Sequence, residues 1–325
     1  MSTSFALWDA FIPKLTIVLT FINKMAEDRF VEFLSNHNVI SFIGRGSFAE
    51  VYKIERISDK EQFALKVVKP NGNETRELGI ASLLQNERHP NILHYIDAYK
   101  SFHQIPSSIS TRFTSYDQLL YIQTELCDST LRQRLLEKED PTYVRENMKK
   151  FALQIAQGLA FIHKKGVMHR DLNPGNILIK RVDLDNNEVI KIGDFGLSRL
   201  IPGLSENLTT KVGCFHYRCP EQRSGTPTQY TQKCDNYSFG VVLYEMFHPD
   251  VMVSQVPGDT LYTFHDDMDN LIIISADAKK TEALNKLENQ DLEDLISGLL
   301  DSNPDNRPDS GMLSPIMESV VNNVT

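Results

Sequence analysis

Residues 167–176 read VMHRDLNPGN and residues 194–196 read DFG, and these two stretches decide how the chain is interpreted. Transfer of a phosphoryl group needs a carboxylate that accepts a hydroxyl proton and oxygen ligands that hold magnesium. Asp171 offers the first, while Asn176 and Asp194 offer an amide oxygen and a second carboxylate, both hard donors suited to Mg²⁺. The spacing therefore predicts a phosphoryl-transfer site with Asp171 as its base and Asn176 and Asp194 as metal ligands.

A glycine-bearing turn lies upstream, where residues 44–49 read GRGSFA. Glycine lets backbone N–H groups approach a phosphate closely, but an ordinary hairpin turn explains the same residues equally well. A dinucleotide-binding loop is excluded, because that motif lies between a strand and a helix, whereas this turn leads into another strand. The candidate nucleotide-covering residues are Ile43, Gly44, Arg45, Gly46, Ser47, Phe48, Ala49, Glu50 and Val51.

Lys66 is a second candidate ligand of a nucleotide. It follows Ala64 and Leu65 in a strand-like run, where an ammonium can reach the α- and β-phosphates, although most strand lysines are simply solvated. A carboxylate is needed to hold such a lysine. Glu77, in the helix that follows, is the candidate partner, and Glu74 is the alternative.

The order of periodic segments predicts strands first and helices later. We expect strands at residues 38–43, 50–57, 62–68, 92–99 and 119–126, the first three as an antiparallel meander, and a helix at 75–85. Residues 101–117 are expected to form a surface loop. Beyond Thr130 the pattern is helical, and one helix presents a single apolar face made of Met148, Phe151, Ala152, Ile155, Leu159 and Ile162.

These segments predict an α+β fold with two lobes. Residues 36–125 are expected to form a small antiparallel-sheet lobe with one main helix, 126–128 a hinge, and 129–325 a larger, mainly helical lobe. A crevice between two lobes is where a small ligand is expected. Residues 1–35 are interpreted as an N-terminal extension, in which 11–22 are a docked or interfacial helix too short to span a bilayer.

Composition limits the class of protein. The chain has 325 residues, 41% of them hydrophobic and 24% charged, which is the balance of a globular protein. Its formal net charge of −9 argues against a nucleic-acid partner. The start of the chain offers no signal peptide, and the 4 cysteines, Cys127, Cys214, Cys219 and Cys234, are interpreted as free thiols. A cytoplasmic location is therefore expected.

Taken together, these residues resemble the protein-kinase superfamily over about residues 36–320. The resemblance implies the bilobal protein-kinase fold and a serine/threonine kinase that uses ATP and Mg²⁺ to modify a protein substrate. Serine/threonine rather than tyrosine specificity rests on residues 217–221 and on the absence of the Ala/Arg-rich catalytic loop of tyrosine kinases. The resemblance also implies that Thr124 is the gatekeeper and that the backbone of Glu125 and Cys127 contacts adenine.

The same resemblance implies two structural features. Residues 219–221 read CPE where the family has Ala-Pro-Glu, and Arg307 is the implied ion-pair partner of Glu221. Residues 235–240 are expected in a helix that supports the catalytic loop.

A narrower resemblance concerns the substrate. Residues 119–127, 28–30 and 217–222 are similar to the kinases of the alpha subunit of translation initiation factor two. Those enzymes usually carry a long insert between the fourth and fifth strands, and the corresponding loop here is short. The resemblance implies that alpha subunit as substrate and a back-to-back homodimer.

Three positions depart from the family pattern. Ala49 replaces the third loop glycine, Asn173 replaces the lysine that usually contacts the transferred phosphate, and Cys214 replaces a threonine that usually bonds to the catalytic aspartate. Loss of one such donor typically costs about 10²–10³ in rate. A nucleotide-binding pseudokinase or scaffold with weak transfer activity is therefore the alternative function. The catalytic candidates are Asp171 and Asn173.

A regulatory site is suggested by Arg170, because in related kinases this arginine pairs with a phosphate on the activation segment. Thr209 and Thr210 are the candidate phosphorylation sites, and two unmodified loop threonines are the alternative. His169 is expected to be a satisfied core histidine, since the chemistry does not require it to exchange protons.

Overall fold

The computed structural model describes most of the chain between residues 29 and 322. The described ranges are 29–46, 49–69, 74–85, 87–102, 118–137, 141–182, 187–200, 213–223, 231–247, 252–255, 262–265 and 289–322. The predicted helix at 11–22, nearly all of the predicted loop at 101–117, and the candidates Ser47, Phe48, Thr209 and Thr210 lie outside them.

Two compact units make up the chain. The first takes in the described residues up to Glu74 and His94–Leu126, and the second takes in Thr75–Leu93 and the described residues from Cys127 onward. This grouping assigns residues 75–93 to the second unit, whereas the sequence placed them in the first lobe. The predicted domain limits at 36–125 and 129–325 stay predictions.

The first unit is built on a five-stranded antiparallel sheet with the strand order β1-β2-β3-β5-β4. A helix, α1, precedes it, and the structure describes its residues 29–36. The strands are β1 (His37–Arg45), β2 (Ala49–Arg56), β3 (Gln62–Val68), β4 (Tyr95–Ser101) and β5 (Leu119–Glu125). The predicted meander of the first three strands is confirmed.

The start of β4 corrects one prediction. The apolar run from Ile92 was expected to join this strand, but Ile92 forms a parallel bridge with Ile192, and the amide of Leu93 donates to the Ile192 carbonyl at 2.9 Å. Because those backbone groups are used in the second unit, β4 begins at Tyr95.

The core of the first unit depends on α1. Phe30 is fully buried and Phe33 is 5% exposed, and the Phe30 ring stacks on Tyr121 with centroids 4.1 Å apart. Tyr52 and Leu65 from the sheet lie in the same cluster. Residues 29–35 therefore belong to the folded unit, although the sequence placed them in an extension.

The second unit is mainly helical. Its elements in chain order are α2 (Glu74–Gln85), β6 (Ser129–Thr130), α3 (Leu131–Leu136), α4 (Pro141–Lys164), β7 (Val167–Met168), β8 (Ile177–Arg181), β9 (Glu188–Ile192), β10 (Arg199–Leu200), α5 (Pro220–Arg223), α6 (Lys233–Phe247), β11 (Met252–Gln255), β12 (Tyr262–His265), α7 (Gln290–Leu299) and α8 (Ser310–Asn322). All six residues of the predicted α4 face are at most 2% exposed. Among the described residues, no helix is long and apolar enough to cross a membrane.

Local sequence explains how α3 is positioned. The Thr130 hydroxyl accepts a hydrogen bond from the Gln133 amide at 3.1 Å, and the Gln133 side chain accepts one from the Thr130 amide at 2.9 Å. This capping box satisfies two backbone donors that the helix itself leaves unpaired. The predicted α+β fold class, with an antiparallel sheet in the first unit and helices dominating the second, is confirmed.

Candidate active site

A buried carboxylate fixes the backbone of the loop at 169–176, which contains Asp171. Asp235, in the first turn of α6, is 1% exposed and accepts hydrogen bonds from the amides of His169 at 2.7 Å and Arg170 at 2.8 Å. His163, near the end of α4, donates to it at 2.9 Å through Nε2. Burial alone would raise the pKa of Asp235, but the hydrogen bond from His163, the electrostatic effect of the two neighbouring histidines and the Arg170 amide bond together hold the pKa below its ordinary value. The loop is therefore anchored to an ionised group.

His169 has a structural role in the same loop. It is fully buried, its Nε2 donates to the Gly193 carbonyl at 2.9 Å, and its Nδ1 accepts from the Asp171 amide at 3.3 Å. Its ring lies edge-on to Phe195, with centroids 5.2 Å apart. The expectation of a satisfied core histidine is confirmed, and both ring nitrogens are used to position their neighbours.

The carboxylate of Asp171 is held by donors from both sides. Oδ1 accepts from the Cys214 amide at 2.7 Å, and Oδ2 accepts from Asn176 Nδ2 at 2.9 Å. Burial raises the pKa of Asp171, and the charge of Asp194 raises it further, while the Cys214 and Asn176 bonds oppose the shift without reversing it. Asp171 thus binds a proton more readily than an exposed aspartate would, as a general base requires.

Asn173 forms a brace inside the loop. Its Nδ2 donates to the Asp171 carbonyl at 3.0 Å and to Asp171 Oδ1 at 3.2 Å, while its Oδ1 accepts from the Gly175 amide at 2.9 Å. A lysine has no acceptor with which to make the last of these bonds. The family's cation is thus replaced by a neutral group that binds the loop itself.

Cys214 contacts Asp171 through its backbone. Burial and the charge of Asp171 raise the pKa of the Cys214 thiol to about 11. The thiol is therefore protonated at neutral pH, and the backbone amide provides the short contact to the carboxylate.

The candidate metal ligands Asn176 and Asp194 lie on two neighbouring segments of the chain. The Gly193 amide donates to the Asn176 carbonyl at 3.0 Å, which places Asp194 one residue beyond this bond. Because Asn176 uses its Nδ2 on the carbonyl and the carboxylate of Asp171, its amide oxygen is the atom left to face a cation. Asp194 is exposed and adopts a left-handed backbone with φ 58°. An amide oxygen and an exposed carboxylate fit Mg²⁺ by their chemistry.

The glycine-bearing turn of the first unit is closed at its base. The Gly46 amide donates to the Ala49 carbonyl at 2.9 Å, and Arg45 Nη2 donates to Glu50 Oε1 at 2.7 Å. Glu50 is fully buried, and its second oxygen accepts from the Tyr52 hydroxyl at 2.6 Å. The stem of this hairpin is thus fixed by a buried carboxylate, which the sequence did not predict.

The remaining nucleotide candidates are placed as follows. Lys66 and Ala64 are half-buried in β3, opposite Ile122 and Thr124 of β5. Glu77 is 5% exposed in α2, and its Oε2 lies 3.3 Å from where a Cβ of Gly196 would be. The predicted Lys66–Glu77 ion pair stays a prediction, and the side chain of the alternative, Glu74, lies outside the described part of the structure.

The segment predicted to contact adenine is fixed by hydrogen bonds between Glu125 and His94. The Glu125 amide donates to the His94 carbonyl at 3.0 Å, and Glu125 Oε1 accepts from the His94 amide at 2.9 Å. Thr124 is 7% exposed, and Cys127 is half-buried. The adenine contacts of Glu125 and Cys127, the gatekeeper role of Thr124 and the roles of Ile43, Gly44 and Val51 stay predictions.

The predicted ion pair between Glu221 and Arg307 is confirmed. Arg307 is 1% exposed, and its two terminal nitrogens donate to the two carboxylate oxygens of Glu221 at 2.7 and 2.9 Å. This bidentate pair joins the start of α5 to the segment before α8.

Sequence reasoning missed a second buried network. Arg132, at the start of α3, forms an ion pair with Glu245 of α6 and donates to the Tyr217 hydroxyl, and Tyr217 donates to Glu245 at 2.6 Å. The Arg132 amide also donates to the Pro174 carbonyl of the catalytic loop at 2.9 Å. The available signal was Glu245 itself, since it is the one charge in the otherwise apolar run at 239–247 and a buried charge requires a partner.

Comparison with known proteins agrees with this geometry. The family described as protein kinase domain matches residues 37–320. The mouse interferon-induced, double-stranded RNA-activated protein kinase is 32% identical over 228 residues, which are 70% of this chain and 42% of that protein. Mouse dual specificity testis-specific protein kinase 1 is 33% identical over 226 residues, 68% of this chain and 32% of that protein. Mouse serine/threonine-protein kinase Nek4 is 26% identical over 271 residues, 82% of this chain and 30% of that protein.

The chain spans less than half the length of these curated relatives. They carry three different kinds of kinase name at similar identity, so the comparisons do not select a substrate group. What they share is the domain, and the match covers most of the chain, including the catalytic loop and the segment at 194–196. The chain belongs to the protein kinase family.

Proposed function

We propose that this chain is a protein serine/threonine kinase that depends on ATP and Mg²⁺. The observation that carries the proposal is the carboxylate of Asp171, whose two oxygens accept from Cys214 and Asn176 while burial raises its pKa. A carboxylate fixed in this way can be aimed at a hydroxyl group without reorganising during the reaction.

Asp171 acts as the general base. As the substrate hydroxyl oxygen attacks the γ-phosphorus, its proton passes to Asp171, and the bond between the γ-phosphorus and the β–γ bridging oxygen breaks to leave ADP. Asn173 positions Asp171, because its Nδ2 donates to the carbonyl and to Oδ1 of Asp171. Asn176 and Asp194 would hold Mg²⁺, which when bound neutralises charge on the phosphates.

Nucleotide binding is assigned to the remaining candidates. Lys66 binds the α- and β-phosphates and Glu77 holds Lys66, while the turn at 43–51 covers the phosphates. Ala64 and Thr124 pack against the adenine ring of ATP, and the backbone of Glu125 and Cys127 forms hydrogen bonds with the edge of that ring. The closed hairpin stem at Arg45 and Glu50 supports this role, because it limits the positions that the turn can adopt.

The proposed substrate is the alpha subunit of translation initiation factor two, modified on a serine or threonine. Its support is the similarity of residues 119–127 and 217–222 to the kinases of that subunit. The same similarity supports a back-to-back homodimer, and the reduced cysteines support a cytoplasmic location.

Regulation is proposed through phosphorylation of Thr209 or Thr210. Arg170, the expected partner of the phosphate, is 5% exposed and has a left-handed backbone with φ 69°. A residue other than glycine rarely keeps this conformation unless its surroundings impose it. The two amide bonds to Asp235 on this loop impose it here.

One observation favours a second function, a nucleotide-binding pseudokinase with weak transfer. The Asn173 side chain is hydrogen-bonded to Asp171 and Gly175, and it brings no positive charge to the transferred phosphate. Binding of ATP would then persist while transfer is slow.

A transfer assay tests the proposal. Purified chain with labelled ATP, Mg²⁺ and the alpha subunit should label that subunit, and Asp171→Ala should lower the rate about 10²–10⁴-fold, since that is what a general base contributes. Asp305→Ala, at an exposed position, is the matched control. Equal labelling by the native chain and by Asp171→Ala would contradict the proposed kinase activity. Labelling of another protein but not of the alpha subunit would contradict only the proposed substrate. ATP-dependent stabilisation without any transfer selects the pseudokinase.

A further inference from the structure

Two buried cysteines lie in direct contact in the second unit, away from Asp171. Cys219 is fully buried and Cys234 is 3% exposed. The thiol of Cys219 donates to Cys234 Sγ, with the two sulfurs 2.7 Å apart. They are separated by 15 positions in the chain, so the contact joins two different elements.

The surroundings hold both sulfurs in place. Cys219 immediately precedes α5, and Cys234 lies in the first turn of α6. The Cys234 thiol donates in turn to Glu221 Oε1 at 3.2 Å, and that carboxylate is bound at both oxygens by Arg307. Neither cysteine can move far without disturbing this buried ion pair.

A metal ion is a poor occupant of this cluster. The two sulfurs and a Glu221 oxygen do lie within 4.8 Å of one another. However, both oxygens of Glu221 are bound to Arg307, so a cation there would lie beside a guanidinium. A structural zinc site also needs four ligands, and this cluster offers three.

We propose that Cys219 and Cys234 are a dithiol that converts to an intramolecular disulfide, which covalently joins the residue before α5 to the first turn of α6. The oxidant is a low-molecular-weight disulfide of the glutathione class. One cysteine attacks it to form a mixed disulfide and release one thiol, and the other cysteine displaces the second, so two protein thiols are oxidised as one disulfide is reduced to two thiols.

The geometry favours the product over the mixed disulfide. The two sulfurs are already in contact, so formation of a bond of about 2.05 Å needs little movement. Reclosure of the folded segment returns the two cysteines to contact, so the second step is intramolecular and loses little freedom. The cross-link also restricts the unfolded chain, so oxidation raises the thermal stability of the second unit.

The reaction is slow in the folded protein. The bond from Cys219 and burial raise the pKa of Cys234 far above its ordinary range, so thiolate is scarce. Oxidation therefore proceeds when residues 213–223 open locally. The ratio of the Cys219–Cys234 dithiol to its disulfide must accordingly be measured after hours of incubation, when it has reached equilibrium.

The test uses the full chain incubated in buffers of varied reduced to oxidised glutathione, with acid quenching, alkylation and non-reducing peptide mapping. We expect a peptide pair joined through Cys219 and Cys234, and a higher melting temperature that dithiothreitol reverses. Full alkylation of both cysteines in every buffer overturns the proposal. The native chain decides this alone, whether or not a variant folds.

Two variants sharpen the result. Cys219→Ala places the family's residue at that position and should abolish both the cross-link and the rise in melting temperature. Cys127→Ser, which changes a half-buried thiol outside the pair, should leave both intact. A rise in melting temperature that persists in Cys219→Ala contradicts the assignment to this pair. None of these readouts depends on phosphotransfer, so the proposal stands or fails separately from the proposed function.

Discussion

At position 173 the chain has a neutral amide where the family has a lysine. In this structure that amide braces Asp171 and Gly175. The residue thus positions the base, but it brings no positive charge to a transferred phosphate.

Asn173→Lys should therefore raise kcat about tenfold, which corresponds to about 1.4 kcal/mol of barrier. We expect less than the 10²–10³ associated with a preorganised donor, because the substitution also removes the brace on Asp171. Single-turnover transfer to the protein substrate measures the change.

Asn173→Met separates the two effects, since it removes the brace without adding charge. Its rate should fall below that of the native chain. If Asn173→Lys is no faster than Asn173→Met, the missing charge does not limit transfer.

The residues that the sequence could single out as candidates are those whose chemistry requires a fixed spacing. Asp171, Asn176 and Asp194 stand out because a base and two oxygen ligands recur in this pattern, and the Glu221–Arg307 pair followed from the same resemblance. Arg132 and Glu245 were missed because they are 113 positions apart, and their pairing depends on packing between α3 and α6. Charge type alone does not encode such a contact.

At the scale of elements, α1 shows why residue pattern is not enough. The structure describes eight residues of this helix, 29–36, and these alone give no periodic stretch long enough to predict. Its stability comes from docking, since Phe30 is fully buried and stacks on Tyr121. The longer elements, such as α4 and the strands of the meander, were predicted because their apolar faces extend over several turns or pleats.

Phe30→Ala should lower the free energy of unfolding of the first unit by about 3–5 kcal/mol, because it leaves a cavity against Tyr121 and Tyr99. Urea unfolding followed by circular dichroism measures this. Val31→Ala is the control on the same helix, since Val31 is 46% exposed and should change stability by less than about 1 kcal/mol. Equal midpoints for the two variants would show that α1 does not support the core.

At the scale of the whole molecule, buried ion pairs link the folding of the second unit to pH. Burial alone would raise the pKa of Glu221, but the bonds and charge of Arg307 outweigh it and hold the pKa below the ordinary value of 4.5. The unfolded chain then takes up this proton at a higher pH than the folded chain does. The stabilisation is present above about pH 4.5 and is lost as pH falls through the lower, folded value.

Glu221→Gln keeps the shape of the side chain but removes the charge that titrates. At neutral pH it should lower the free energy of unfolding by about 1–3 kcal/mol, because the amide offers one acceptor oxygen where the carboxylate offered two, so one buried Arg307 N–H loses its acceptor. As pH falls below 4.5, the native chain loses this stabilisation and the gap between the two proteins should narrow. Thermal unfolding across this range measures the gap, with Glu318→Gln at an exposed position as the control. A gap that stays constant as the pH falls would mean that the Glu221–Arg307 pair does not contribute to the acid sensitivity of the fold.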